Sequence, residues 1–228
     1  MAEVSEHGTF IEINGVKVWH RVTGDGPEAV IQLHGAGFGH YNTEPCTPVL
    51  ADHFKVVDWD LRGYGQSDKP SQKYDMEVWA DDTAALMDKL GIERAHIHGT
   101  SMGGMIAQII AGRHPQRTLS LTSIFSSTGS RKVGQLAMSS MLMLIKPPAR
   151  TRDEAVQRYS AAMAHIGTQT YPVNDAARRA YAADAWDRGQ QAKDAEGIKA
   201  ISRWLSEERA IPPEPMRKTN ASRRDASG

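Results

Sequence analysis

The feature that most constrains the fold of this chain is a pentapeptide and its flanks. Ala95-His96-Ile97-His98 reads as a short strand and runs directly into Gly99-Thr100-Ser101-Met102-Gly103. A helix that is apolar almost all round, Met102 to Ala111, follows with no spacer. An all-round apolar helix must be buried. A G-x-S-x-G sequence by itself is a weak signal, and its bland reading is a glycine-rich turn that only starts a helix. Between a strand and a helix it says more. Small residues let the chain turn sharply enough to lift the Ser101 hydroxyl beyond the carboxyl end of the strand. There the helix N-terminus supplies unbonded N–H groups and the positive end of its dipole.

The rest of the first half repeats the strand–helix alternation. Phe10-Ile11-Glu12-Ile13, Asn14-Gly15 and Val16-Lys17-Val18-Trp19 form a hairpin signal, two alternating runs across an Asn-Gly turn. Ala29 to Leu33 is a nearly continuous apolar run, as expected of a strand covered on both faces. Lys55 to Trp59 and the β-branched stretch Thr118 to Phe125 are further strands. Tyr74 to Leu90 places Val78, Leu86, Met87 and Leu90 near one helical face, with Asp81, Asp82 and Asp88 elsewhere, and Gly91 is its C-terminal cap. The expected class is α/β, a mostly parallel sheet flanked by helices, with right-handed crossovers. From about residue 130 the strand signals stop. Val133 to Ile145, Asp153 to His165, Asp175 to Trp186 and Ala195 to Leu205 read as helices. The segment 206–228 is rich in charge and proline and poor in large apolar groups, so it is expected to be disordered. Its Arg217, Lys218, Arg223 and Arg224 read as solvated cations. The division is a core over 1–129, a helical lid or cap over 130–205 and a polar tail over 206–228.

Charge and composition exclude several classes. Lys plus Arg and Asp plus Glu are both 27, so a general nucleic-acid binder is disfavoured. No run of about 18 apolar residues predicts a membrane span. The acidic start Met1-Ala2-Glu3-Val4-Ser5-Glu6 lacks the apolar stretch of a secretory signal. One cysteine, Cys46, allows no intrachain disulfide and fits a reducing compartment, and its neighbours carry no thiolate-activating signature. The expected location is the cytoplasm.

Two more motifs bear on Ser101. His34-Gly35-Ala36-Gly37 follows the strand Ala29 to Leu33, and its small residues would let backbone amides face a developing oxyanion. The expected donors are the N–H groups of Ala36 and Met102, with His34 anchoring the loop by a hydrogen bond. Asp60-Leu61-Arg62-Gly63-Tyr64-Gly65-Gln66-Ser67-Asp68-Lys69-Pro70 is a glycine-rich turn with a charged pair. It lacks the Gly-Lys-Ser/Thr ending of a phosphate loop.

In this order and at these spacings, over residues ~10 to ~129, the three motifs resemble the α/β-hydrolase superfamily. The look is closest to methylesterase and lipase-type carboxylic ester hydrolases, an impression to which Ser120 to Gly129 contributes. The resemblance implies an α/β-hydrolase fold with a lid inserted after the sixth strand. It implies a Ser101 nucleophile, an acyl-enzyme, Ala36 and Met102 as oxyanion donors, and His34, Gly35, Gly37, Gly99 and Gly103 in support. It implies a small-molecule ester substrate and no metal or organic cofactor.

A serine hydroxyl needs a base and a group orienting that base. In this superfamily an acid and then a histidine follow the serine in the chain. Only His114 and His165 follow Ser101. His114 lies 13 residues on, ~20 Å down the helix, and reads as a C-terminal helix cation. His165 falls in the lid. The alternative acid position holds Ser126, Ser127 and Thr128, and Asp153, Asp175, Asp184 and Asp187 read as solvated or capping carboxylates. The last strands of the fold are not identifiable, as expected of a shortened or frame-altered product. Three readings stay open. The chain is an impaired serine ester hydrolase, or a non-catalytic remnant that binds a hydrophobic ligand under its Met138, Met141, Met143 stripe or self-associates through an open sheet edge. Or it is a perhydrolase or carbon–carbon bond hydrolase on the same fold. Haloalkane dehalogenation is disfavoured, because it uses an aspartate where this chain has Ser101.

Overall fold

The computed structural model describes residues 8–36, 39–71, 75–130, 137–144, 149–167, 170 and 174–187. The expected helix Ala195 to Leu205, the tail 206–228 and Gly37 lie outside them. In chain order the strands are β1 (Thr9–Ile13), β2 (Val16–Thr23), β3 (Ala29–Leu33), β4 (Lys55–Trp59), β5 (Ala95–Thr100) and β6 (Thr118–Ile124). The helices are α1 (Thr47–Leu50), α2 (Met76–Lys89), α3 (Met102–Arg113), α4 (Met138–Leu144), α5 (Arg152–Ile166) and α6 (Asp175–Asp187). The described strands make one mixed sheet in the order β1-β2-β4-β3-β5-β6. The pairs β3–β4, β3–β5 and β5–β6 are parallel, whereas β1–β2 and β2–β4 are antiparallel.

Each element follows from its residues. Asn14 and Gly15 both take positive φ, 45° and 72°, as the tight hairpin turn requires. All five residues of β3 are buried, because β3 sits between β4 and β5 with both faces covered. Asp75 caps α2 by accepting from the Val78 N–H, and Gly91, at φ 65°, ends it. From Met102 to Ile110 every residue of α3 is buried, as its composition predicts. The core joins Ile31, Leu33, Val57, Trp59 and Ile97 of the sheet to Trp79, Leu86, Ile106 and Ile110 of the helices. Each such aliphatic side chain contributes about 1.5–3 kcal/mol by leaving water.

Two sequence expectations are corrected. Asp82 does not stand apart from the packed face of α2: it is fully buried, because Arg62 meets it through two 2.7 Å bonds. Asn14 Nδ2 donates to the same carboxylate at 2.9 Å, so α2, the hairpin turn and the segment after β4 meet at one buried charge. The sixth strand ends at Ile124 rather than Phe125, because Phe125 has φ 60° and leaves the sheet.

After residue 130 the described elements are helical. Thr151 caps α5 by accepting from the Glu154 N–H. The α5–α6 pair buries Ser160, Ala182 and Ala185 and packs Tyr159 against Tyr181 in a tilted arrangement, with ring centroids 5.5 Å apart. The side chains of Asp175 and Asp187 pair with Arg179 and Arg152 at the surface. Among the described residues no helix is long and apolar enough to cross a membrane.

Candidate active site

Ser101 occupies the junction of β5 and α3 with φ 54° and ψ −117°. A side chain at such angles is strained by roughly 1–3 kcal/mol and needs surrounding contacts to hold it. Those contacts are present. The Ser101 N–H donates to the Ile124 carbonyl at 2.8 Å. The Ser101 carbonyl accepts from the Gly104 N–H at 3.0 Å and from the Ser126 hydroxyl at 2.9 Å. Gln108 Nε2 donates to the Gly104 and Ser127 carbonyls, both at 3.1 Å, and Ser123 Oγ donates to the Gly104 carbonyl at 3.2 Å. The corner after β6 therefore clamps the first turn of α3 from outside.

The glycines at the turn exist because there is no room for a side chain. A Cβ on Gly99 would meet the Gly103 carbonyl oxygen at 2.2 Å, and one on Gly103 would meet the Leu33 carbonyl oxygen at 2.1 Å. The loop after β3 also approaches the turn: a Cβ on Gly35 would lie 3.3 Å from the Ser101 Cβ. Gly35 thus faces the serine turn. Met102 begins α3, so its amide is one of those for which the helix provides no acceptor. The Met102 side chain is buried beneath, where the Tyr64 hydroxyl reaches its sulfur at 3.5 Å.

His34 is fully buried, and its hydrogen bonds fix its tautomer. Nε2 accepts from the Leu61 N–H at 3.0 Å, so Nδ1 carries the proton and donates to the Gly35 carbonyl at 2.7 Å. Burial lowers its pKa to about 4, against a smaller upward pull from Asp60. His34 is therefore a neutral loop anchor, as its place before the serine suggests.

The sequence did not reveal the partners of Asp60. This carboxylate is fully buried and accepts three hydrogen bonds: from the His40 N–H at 2.7 Å, the His40 ring at 2.9 Å and the Gln66 N–H at 2.8 Å. Burial favours its neutral form, but the His40 ring and the Gln66 amide outweigh burial and hold the carboxyl below its ordinary range. His40 is stacked on Trp19 and packed against Tyr41, with centroids 3.9 Å away in each case. The other residues of the Asp60–Pro70 motif act as staples. Ser67 Oγ donates to the Asp60 carbonyl and accepts from the Trp19 N–H, and Asp68 accepts from the Lys17 N–H. Neither the Arg62–Asp82 pair nor the Asp60–His40 pair has a local sequence signal, since 20 residues separate the partners in each.

The two histidines after Ser101 are placed elsewhere. His114 is the C-terminal cap residue of α3, and exposed His165 lies 3.3 Å from Ser140 Oγ. Among the described residues no imidazole hydrogen-bonds the Ser101 hydroxyl, and no group of three or more His, Cys, Asp or Glu side chains could hold a metal ion. A cavity of about 300 Å³ lies away from the elbow, against Arg152, Val156 and Arg179 of α5 and α6.

A serine at positive φ joining a central parallel strand to a buried helix, in a sheet of this strand order, defines the α/β-hydrolase architecture. A family model described as alpha/beta hydrolase fold matches residues 28–206, and the chain belongs to that family. It is 37% identical over 109 residues to the dihydrolipoyllysine-residue acetyltransferase component of the acetoin cleaving system of Pseudomonas putida, a match covering 48% of this chain and 30% of that protein. It is 35% identical over 102 residues to 2-hydroxymuconate semialdehyde hydrolase of Pseudomonas sp. strain CF600, covering 43% and 36%. The chain thus spans about a third of the length of these curated relatives. In fold it is similar to a meta-cleavage product hydrolase from Pseudomonas fluorescens IP01, with a TM-score of 0.69 and 23% identity over 87% of this chain and 71% of the other.

Proposed function

We propose that the chain is a serine hydrolase acting on carboxylic esters through a Ser101 acyl-enzyme. The observation that carries this reading is the strained Ser101 backbone, held by hydrogen bonds from both sides. Strain of this kind persists where a side chain must be presented in one direction. The Ser101 hydroxyl attacks the ester carbonyl carbon, the carbonyl electrons move onto oxygen, and the Ala36 and Met102 amides stabilise that anion. Collapse expels the alcohol, which takes up the proton the hydroxyl gave up, and water then releases the acid. Because no described imidazole bonds the hydroxyl, the rate is expected to be low: in a triad-type enzyme the oxyanion site and binding alone retain ~10³–10⁴ over water. The helices after residue 130 are proposed as a cap over the site.

A second reading is hydrolysis of a carbon–carbon bond next to a ketone, on the same serine and the same amides. It is favoured by the 35% identity to a protein named 2-hydroxymuconate semialdehyde hydrolase. One experiment separates the two. Incubation with an acetyl aryl ester is expected to leave the acetyl group on Ser101, visible by intact mass and lost in Ser101→Ala. Cleavage of a vinylogous 1,5-diketone with no ester turnover would reject the ester reading for the second one. Inertness to both would reject both.

A further inference from the structure

We infer that Asp60 is a positioning residue for the oxyanion site, resting on the reading of Ser101 as nucleophile. Two adjacent residues, Asp60 and Leu61, hold both ends of the loop that carries Ala36. At its start the Leu61 N–H donates to the His34 ring, whose other nitrogen donates to the Gly35 carbonyl. At its far end the Asp60 carboxylate takes both the backbone N–H and the ring N–H of His40 through one oxygen. Three further hydrogen bonds brace the loop's described residues. Asn42 Oδ1 accepts from the Gly35 N–H at 3.0 Å, and Thr43 returns its N–H and hydroxyl to the His40 carbonyl.

The second carboxylate oxygen bonds the Gln66 N–H at 2.8 Å, which fixes the carboxylate in turn. The space around it admits nothing larger. A Cβ on Gly39 would meet one Asp60 oxygen at 2.4 Å, and a Cβ on Gly65 would meet the other at 2.1 Å. Both glycines also have positive φ, 65° and 48°. A carboxylate accepts from all three donors at once, whereas an amide of the same shape must turn its NH₂ group toward one of them. Loss of the charge therefore displaces either His40 or Gln66. Asn42, two residues beyond His40, holds the Gly35 N–H, and Gly35 packs against Ser101, so a segment released at His40 moves Gly35 and the adjoining Ala36 amide relative to the serine hydroxyl. Asp60 touches no reacting atom; it acts through the loop.

The test is the rate of phosphonylation by a fluorophosphonate. In that reaction Ser101 Oγ bonds to phosphorus, the P–F bond breaks, fluoride leaves and the hydroxyl proton passes to water. The oxygen on phosphorus sits where the ester oxyanion would. Asp60→Asn is expected to label to the same final extent as wild type, with a maximal rate at least about tenfold lower and unchanged half-saturation; deleting a donor outright costs ~10²–10³. A role confined to folding would lower the labelled fraction and leave the rate of that fraction unchanged. His40→Asn, which keeps the backbone N–H bond, is expected to slow labelling less and serves as the deciding variant if Asp60→Asn does not melt cooperatively. Full labelling at the wild-type rate in the folded variant overturns the inference alone. No labelling of wild type overturns the nucleophile reading, and this inference with it.

Discussion

The Ser126 hydroxyl donates a hydrogen bond to the Ser101 carbonyl oxygen at 2.9 Å. These residues are 25 apart in sequence, and the bond ties the serine turn to the corner after β6. The same corner gives the Ile124 carbonyl to the Ser101 N–H and carries Phe125 at φ 60°. Two strained residues thus brace each other.

Ser126→Ala removes the side-chain part of this brace. The loss of one partly buried hydrogen bond is expected to lower stability by about 1 kcal/mol. The Ser101 carbonyl still accepts from the Gly104 and Met105 N–H groups, so the backbone keeps its angles. Urea unfolding should show the lower midpoint with an unchanged slope.

Gly103→Ala should be far more damaging, because the new methyl meets the Leu33 carbonyl oxygen at 2.1 Å and the His34 carbonyl oxygen at 2.7 Å. Both neighbours are backbone of a central strand and its continuation, so neither yields easily. A loss of about 3 kcal/mol or more is expected, at the upper end of overpacking effects. Gly91→Ala has open space and is the control, limited to the strain of its positive φ. Melts of the two variants side by side check the difference.

The pH dependence follows from His34. Its folded-state pKa, about 4, lies below the ordinary imidazole value of 6.5 because burial penalises the charged form. Below pH 6.5 the unfolded chain takes up a proton that the folded chain refuses. The stabilisation is complete above 6.5 and falls as the pH drops toward 4, by up to roughly 3 kcal/mol in total. His20 and His98, whose pKa values burial also lowers, act in the same direction. Thermal melts between pH 7.5 and 4 should show a falling midpoint; a midpoint that rises on acidification would refute the neutral assignment of His34.

The buried pair Arg62–Asp82 allows a double-mutant test. Arg62→Met leaves a buried carboxylate without its cation and is expected to cost about 3–5 kcal/mol, whereas Arg62→Met with Asp82→Leu should recover most of that. Asn14, which also bonds Asp82, limits the recovery. Unfolding free energies of the two single variants and the double variant measure the coupling.

Much of this fold was legible because its signals are local. The Asn14-Gly15 turn, the continuous apolar run of β3 and the all-round apolar α3 are set by neighbours in sequence, and the structure follows them to within a residue or two. What stayed hidden was the pairing of charges over long separations. Asp82 was placed off the apolar face of its helix because its partner Arg62 lies on another element, and Asp60 looked like an ordinary turn residue because His40 comes from the loop before it. Ser126 was noticed only as a position without a carboxylate; its bond to Ser101 depends on the turn at Phe125, which a bulky residue does not announce. The helices after residue 130 were readable as helices, but helical periodicity does not say what they cover.

The most direct test of the central claim is site-resolved labelling with a fluorophosphonate. Ser101 in the folded chain is expected to be the residue modified, with no label in Ser101→Ala and none after denaturation of the wild type. Label on another residue, or equal labelling of wild type and Ser101→Ala, would contradict the account.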